Sequence, residues 1–141
     1  MSDTQNKPPA PEITEELLRK FPKTDLHCHL DGSVRVDTIL DLAEKNKVSL
    51  PVNDAEGLRK IVVVGDDCEN LADYLRAFDV TLSVMQDTDS LSRIAYELVQ
   101  DCAAENVRYL EVRYSPILHT KGGLRLTQIV DAVNDGLCAG E

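Results

Sequence analysis

Two spacings alternate in the apolar positions of this chain. In the run TDLHCHL, residues 24–30, Leu26, Cys28 and Leu30 recur at every second position, while Asp25, His27, His29 and the following Asp31 take the places between. That is the period of a strand with one apolar and one chemical face. Past Gly32 and Ser33 the spacing lengthens. Val36, Ile39, Leu40 and Ala43 fall at i, i+3, i+4 and i+7, which predicts an amphipathic helix closed by Pro51. A second helical stripe runs Leu71, Tyr74, Leu75, Phe78, Leu82. A third, opened by Thr88 or Asp89, runs Leu91, Ile94, Ala95, Leu98, Val99, Cys102. The segment VRYLEVRYSP is rich in aromatic and β-branched residues and stops at Ser115 and Pro116, so it reads as a second strand. From Thr127, the positions Ile129, Val130, Val133 and Leu137 predict a last helix.

The order strand, helices, strand, helix, with connections this long, predicts parallel strands joined by crossovers. Two strands are too few for a parallel sheet covered on both faces, and a third is expected after the last helical stripe. The fold class is therefore α/β, the N-terminal part of a (β/α)8 TIM-type barrel, a fold of about 250 residues. Residues 1–12, polar and proline-rich, are expected to form a flexible arm, and residues 13–141 the first βα units of a barrel that continues beyond this chain.

Composition narrows the partners. A formal net charge of −10 and the lack of any basic stripe argue against nucleic acid. No apolar stretch approaches the ~20 residues of a membrane span, and the first residues lack the apolar run of a signal peptide, so a cytoplasmic protein with no membrane partner is expected. The four cysteines, Cys28, Cys68, Cys102 and Cys138, show neither a CxxC pair nor a disulfide framework, and reduced thiols fit that compartment.

The chemical face of the first strand carries the candidate site. His27 and His29, at i and i+2, point the same way about 7 Å apart along the strand, close enough for ring nitrogens of both to reach one cation at about 2.0–2.1 Å. Buried without partners, each would leave polar nitrogens unsatisfied at roughly 1–3 kcal/mol apiece. The pair also sits at the carboxyl end of its strand, where barrel enzymes assemble their sites. The spacing leaves metal binding and a structural role both open. Elsewhere, Glu111 and Arg113 share a strand face at i, i+2 and read as a structural ion pair. His119 reads as a loop residue. The acidic run GDDCEN lacks the alternating oxygen ligands of a calcium loop and reads as a solvated turn.

The run FPKTDLHCHLDGSVR, followed in order by AEGLRKIV, LADYLRAFD, RIAYELVQDCAAENVRYLEVRYSP and ILHTKGGL, resembles the adenosine deaminase family within the metal-dependent amidohydrolase superfamily. The HxH pair alone would mark only the superfamily; HxHLDGS with the long block ending in RYSP is much more specific. The resemblance implies an eight-stranded barrel hydrolase that deaminates adenosine and 2′-deoxyadenosine to the inosine products and ammonia, with one Zn2+ per subunit and a purine nucleoside as substrate. It implies that His27 and His29 are the first two zinc ligands, that Asp31 accepts a hydrogen bond from the ribose 5′-hydroxyl, and that His29 also borders the sugar. It makes Leu71, Tyr74, Leu75 and Phe78 a possible gate over the purine pocket, although core packing would give the same stripe. Gly32 is the residue type expected where the chain turns sharply beneath a ligand. No catalytic residue is expected within the 141 residues: the catalytic acid and remaining ligands are expected downstream of Glu141, so the chain alone is not expected to be active. Two other readings stay open: a deaminase of adenine or another 6-aminopurine, in which Glu followed by Gly is expected in place of Asp31, and a non-catalytic fragment that binds purine or a partner.

Overall fold

In the computed structural model, residues 12–63, 65 and 71–141 are described, with the backbone alone for residues 71–74 and 76. Residues 1–11 of the expected arm, Cys68 and nearly all of GDDCEN fall outside them. The two expected strands pair in parallel, β1 (Lys23–His29) beside β2 (Val107–Arg113), and form a sheet of their own. Six α-helices are described: α1 (Glu15–Lys20), α2 (Val36–Asn46), α3 (Ala55–Val62), α4 (Leu71–Ser83), α5 (Thr88–Ala104) and α6 (Leu126–Gly140), with a 3₁₀ turn at Pro116–His119.

The helix ends follow from local chemistry. The Asp87 carboxylate accepts the Ser90 N–H at 2.9 Å and the Ser90 hydroxyl at 2.6 Å, so α5 is capped one residue ahead of the expected Thr88 or Asp89. Lys47 and Asn106 take the left-handed conformation, φ 55° and 60°, just past α2 and α5. Two helices were not expected from the sequence, although Ala55, Leu58 and Val62 of α3 do fall at i, i+3 and i+7. α1 is six residues long with none buried, capped by the Thr14 hydroxyl. α3 carries Gly57 in its first turn, where the Asp54 carboxylate accepts the Gly57 N–H at 2.8 Å.

One face of the sheet, with Cys28, Leu110 and Val112, packs against a core of Leu30, Ile39, Leu42, Leu91, Ile94, Ile129 and Val133 drawn from four separate segments. α2 is tied to α5 by polar contacts as well: the Thr38 hydroxyl donates to buried Glu97 at 2.5 Å, and Arg93 bridges Glu97 at 2.8 Å and Asp41 at 3.0 Å. α6 approaches α5 through small residues, Gly136 opposite Ser92 and Ala95 and Gly140 opposite Val99.

The strict alternation expected of β1 fails at one place. Asp25 pairs with Leu110 and Cys28 with Val112, so Leu26 and His27 together stand opposite the single Glu111. The Asp25 carboxylate accepts the His27 N–H at 3.0 Å. Leu26, expected in the core with Cys28 and Leu30, is consequently 58% exposed. Asp25, expected beside the histidines, is instead half-buried and near Cys102 of α5, whose thiol pKa is raised by burial first and then by Cys28 and Asp25.

Candidate metal and substrate site

The uncovered face of the sheet is polar. Beside His27 and His29 on β1 stand Tyr109, Glu111 and Arg113 on β2, and they hold one another: the Tyr109 hydroxyl donates to Glu111 at 3.1 Å, and Arg113 lies 3.5 Å from Glu111 and donates to the Leu26 carbonyl at 3.3 Å. The ion pair read from the i, i+2 spacing forms. Both partners are about half exposed, so its contribution to stability is small.

The bulge does not separate the histidines. The rings of His27 and His29 stand 5.3 Å apart between centroids and tilt by 34°. Two imidazoles bound tetrahedrally to one zinc at about 2.0–2.1 Å would have centroids roughly 5.2 Å apart, so the observed spacing fits a shared cation. Among the described residues, neither ring is tied to a core group; the nearest charged neighbour of His29 is Asp31, whose Oδ1 is 3.5 Å from Nδ1. Among the described residues, no group of three or more His, Cys, Asp or Glu side chains converges as a metal site. A catalytic zinc uses three protein ligands and an open position, so these two imidazoles alone do not make such a site.

Past His29 the chain turns tightly. The Leu30 N–H still reaches the Arg113 carbonyl at 2.9 Å, then the Gly32 and Ser33 N–H groups fold back on the His29 and Leu30 carbonyls at 3.2 Å, and the Ser33 hydroxyl donates to the His29 carbonyl at 2.6 Å. This turn carries Asp31 inward until it is 6% exposed. The sharp turn expected at Gly32 is present, but no left-handed backbone demands glycine there; a methyl group would meet His29 and Phe78 at ordinary contact distances, 3.4 and 3.6 Å. Asp31, Val34, Val62, Ala77 and Phe78 line a cavity of about 280 Å³.

Of the possible gate residues, Phe78 meets the site: its ring stands edge-on to His29, centroids 6.3 Å apart. Leu75 is 52% exposed. Leu71 and Tyr74 belong to α4, but their side chains fall outside those described. His119 lies in the connection after β2, as expected, but is not exposed there. It ends the 3₁₀ turn and is fully buried, its Nδ1 3.0 Å from the Met85 carbonyl and its ring 6.0 Å from Tyr114. Burial lowers its pKa, against smaller opposing effects of the Met85 contact and the Asp31 charge. Spacing gave no signal for this residue, because its surroundings come from segments distant in sequence.

Glu141, the position beyond which the catalytic groups are expected, takes no part in the site itself. It is the exposed C-cap of α6 and borders a groove with Val107 and Arg108, at the amino end of β2. The histidines stand at the carboxyl end of β1, which runs parallel to β2, so the Glu141 carboxylate lies toward the other end of the sheet. It stands apart from His27, His29 and Asp31.

A parallel strand pair whose uncovered face gathers polar side chains at its carboxyl end is the opening of an amidohydrolase-type (β/α)8 barrel. The solved structures agree. The chain resembles adenine deaminase from Arthrobacter aurescens with a TM-score of 0.73 and 29% identity, covering 85% of this chain and 36% of that one. An amidohydrolase from Burkholderia ambifaria with bound Zn gives a TM-score of 0.73 at 27% identity, covering 94% of this chain and 36% of that one. An adenosine deaminase of Clostridium botulinum (strain 657 / Type Ba4) is 48% identical over 120 residues, 85% of this chain and 36% of the relative. The profile of the adenosine deaminase family matches residues 22–141, and the chain belongs to that family. It spans about a third of the length of the curated bacterial relatives it matches.

Proposed function

We propose that the protein carrying this chain is a zinc-dependent adenosine deaminase of purine salvage, acting in the cytoplasm on adenosine and 2′-deoxyadenosine. The observation that carries the reading is the 5.3 Å pairing of the His27 and His29 rings at the carboxyl end of β1, next to the buried Asp31. When bound, the zinc supplies the Lewis acidity that makes water nucleophilic near neutral pH. His27 and His29 contribute two of its donors. Asp31, one turn beyond and at the cavity wall, accepts the 5′-hydroxyl of the ribose and so orients the nucleoside; it transfers no proton in the reaction. Phe78 supplies an apolar surface at the edge of the same cavity and, with Leu75, Leu71 and Tyr74 of α4, a movable cover. The general acid and remaining ligands come from outside residues 1–141, downstream of Glu141.

The similarity to an adenine deaminase favours one alternative substrate, the free base. Asp31 discriminates, because a carboxylate reading a sugar hydroxyl has no partner in adenine. The test is loss of the adenosine absorbance band on incubation with the complete protein, alongside adenine and with zinc removed and restored. Zinc-dependent turnover of adenosine, abolished by His27→Ala, is expected; turnover of adenine alone would refute the nucleoside reading. The 141-residue chain by itself is expected to be inactive, and zinc-dependent deamination by it would contradict this assignment of ligands.

A further inference from the structure

Among the described residues, two buried side-chain atoms have no hydrogen-bond partner in the protein: Oδ1 of Asp31 and Nε2 of His119. Both side chains are more than nine-tenths buried. Each follows the carboxyl end of one of the two paired strands. β1 and β2 are adjacent and parallel, with His29 opposite Arg113, so the turns that follow them leave the sheet at one edge. The Asp31 charge is also felt at the His119 ring.

The hydrogens decide what fits between them. The Met85 carbonyl only accepts, so the His119 nitrogen 3.0 Å from it, Nδ1, carries a hydrogen. Burial disfavours a second proton on the ring. Nε2 is then a lone-pair acceptor, and so is the Asp31 carboxylate. A single group that serves both acceptors must be a heavy atom bearing two hydrogens. Water has them; a sugar hydroxyl has only one.

We propose that a buried water donates one hydrogen to Nε2 of His119 and the other to Oδ1 of Asp31, which makes His119 a positioning residue for Asp31. The Met85 carbonyl fixes the ring, the ring fixes the water, and the water fixes the carboxylate, leaving Oδ2 to address the cavity that Asp31 lines. The consequence for substrate rests on the adenosine deaminase reading.

His119→Asn keeps a side-chain donor for the Met85 carbonyl and removes the acceptor at Nε2; His119→Gln places an amide near the lost nitrogen. In the complete protein, His119→Asn should lower kcat/KM for adenosine about tenfold, mainly through KM. It should leave 5′-deoxyadenosine within about twofold, and His119→Gln should restore most of the loss. Adding His119→Asn to Asp31→Asn should cost little more. Equal losses on both substrates, or full additivity, would overturn the inference. If the wild-type protein does not deaminate adenosine, the functional reading fails and a crystal structure of the complete protein decides this one. One water within about 3.2 Å of both atoms is expected; direct contact between the two side chains, or no shared water, would overturn it.

Discussion

Gly136 of α6 faces α5 so closely that a methyl carbon there would stand 2.2 Å from the Ser92 carbonyl oxygen and 2.8 Å from the Ala95 Cβ. The obstacle is the backbone of a helix, which cannot rotate aside as a long side chain could. In Gly136→Ala, α6 must therefore retreat by about 1 Å, enough to forfeit a quarter to a half of the dispersion attraction across the gap. The side chains lifted are Ile129, Ala132 and Val133, all buried against α5 and the core. Overpacking of this kind costs about 1–3 kcal/mol, and a fixed carbonyl in the way puts this site toward the upper end. Alanine in place of a helical glycine returns about 1 kcal/mol. The net expectation is a loss of about 2 kcal/mol, read as a lower midpoint in urea unfolding of the complete protein followed by circular dichroism. Gly32→Ala is the control, since its methyl group would sit no closer than 3.4 Å to any neighbour outside the adjoining residues. A Gly136→Ala protein that unfolds at the wild-type midpoint or above it would show that the tight approach of α5 and α6 does not limit stability, and would refute the overpacking.

The remaining predictions concern the site. His27→Ala should reduce zinc retained by the complete protein after dialysis, measured by atomic absorption, while leaving its circular dichroism unchanged, because the ring is not tied to the core; unchanged zinc content would remove His27 from the ligand set. Asp31→Ala should lower kcat/KM for adenosine tenfold to a hundredfold, the worth of one charge-assisted hydrogen bond of about 1.5–3 kcal/mol, and should affect 5′-deoxyadenosine much less. Because burial holds the folded-state pKa of His119 below its ordinary 6.5, the unfolded chain binds more protons just below that value. This group's contribution is thus fully present above pH 6.5 and is lost as pH falls through 6.5 toward the folded pKa. Urea midpoints measured from about pH 7 to about pH 5 should drop, less so in His119→Asn; identical slopes would show that His119 does not titrate as described.

Sequence periodicity was a sound guide wherever one element buried one face. The stripes Val36, Ile39, Ala43 and Leu91, Ile94, Ala95, Leu98 all line the core, and β1 runs where the period of two placed it, β2 where its aromatic and β-branched residues did. It failed where a local polar contact or a lack of burial broke the pattern. The Asp25 carboxylate takes the His27 N–H, one extra residue enters β1, and Leu26 moves out of the core. α1 buries no residue, so no apolar stripe marks it. The capping residue Thr14 and the Asp54 cap before Gly57 were the signals available for α1 and α3.

The candidate site divides along the same line. His27 and His29 share one short segment and their rings stay paired despite the bulge, whereas Asp31 lies past the strand and is carried inward by the turn that follows it. The burial of His119 is not legible, because it comes from packing against Met85, 34 residues earlier. A histidine on an exposed turn would satisfy both nitrogens with solvent. This one has a single nitrogen satisfied by the protein, and the other is buried without a partner, as is one carboxylate oxygen of Asp31. The parallel pairing of β1 and β2 brings the turns that follow them to one end of the sheet. The register of the strands therefore matters for the site: a slip of one residue between them would alternate the faces of one strand and change which side chains stand beside His27 and His29.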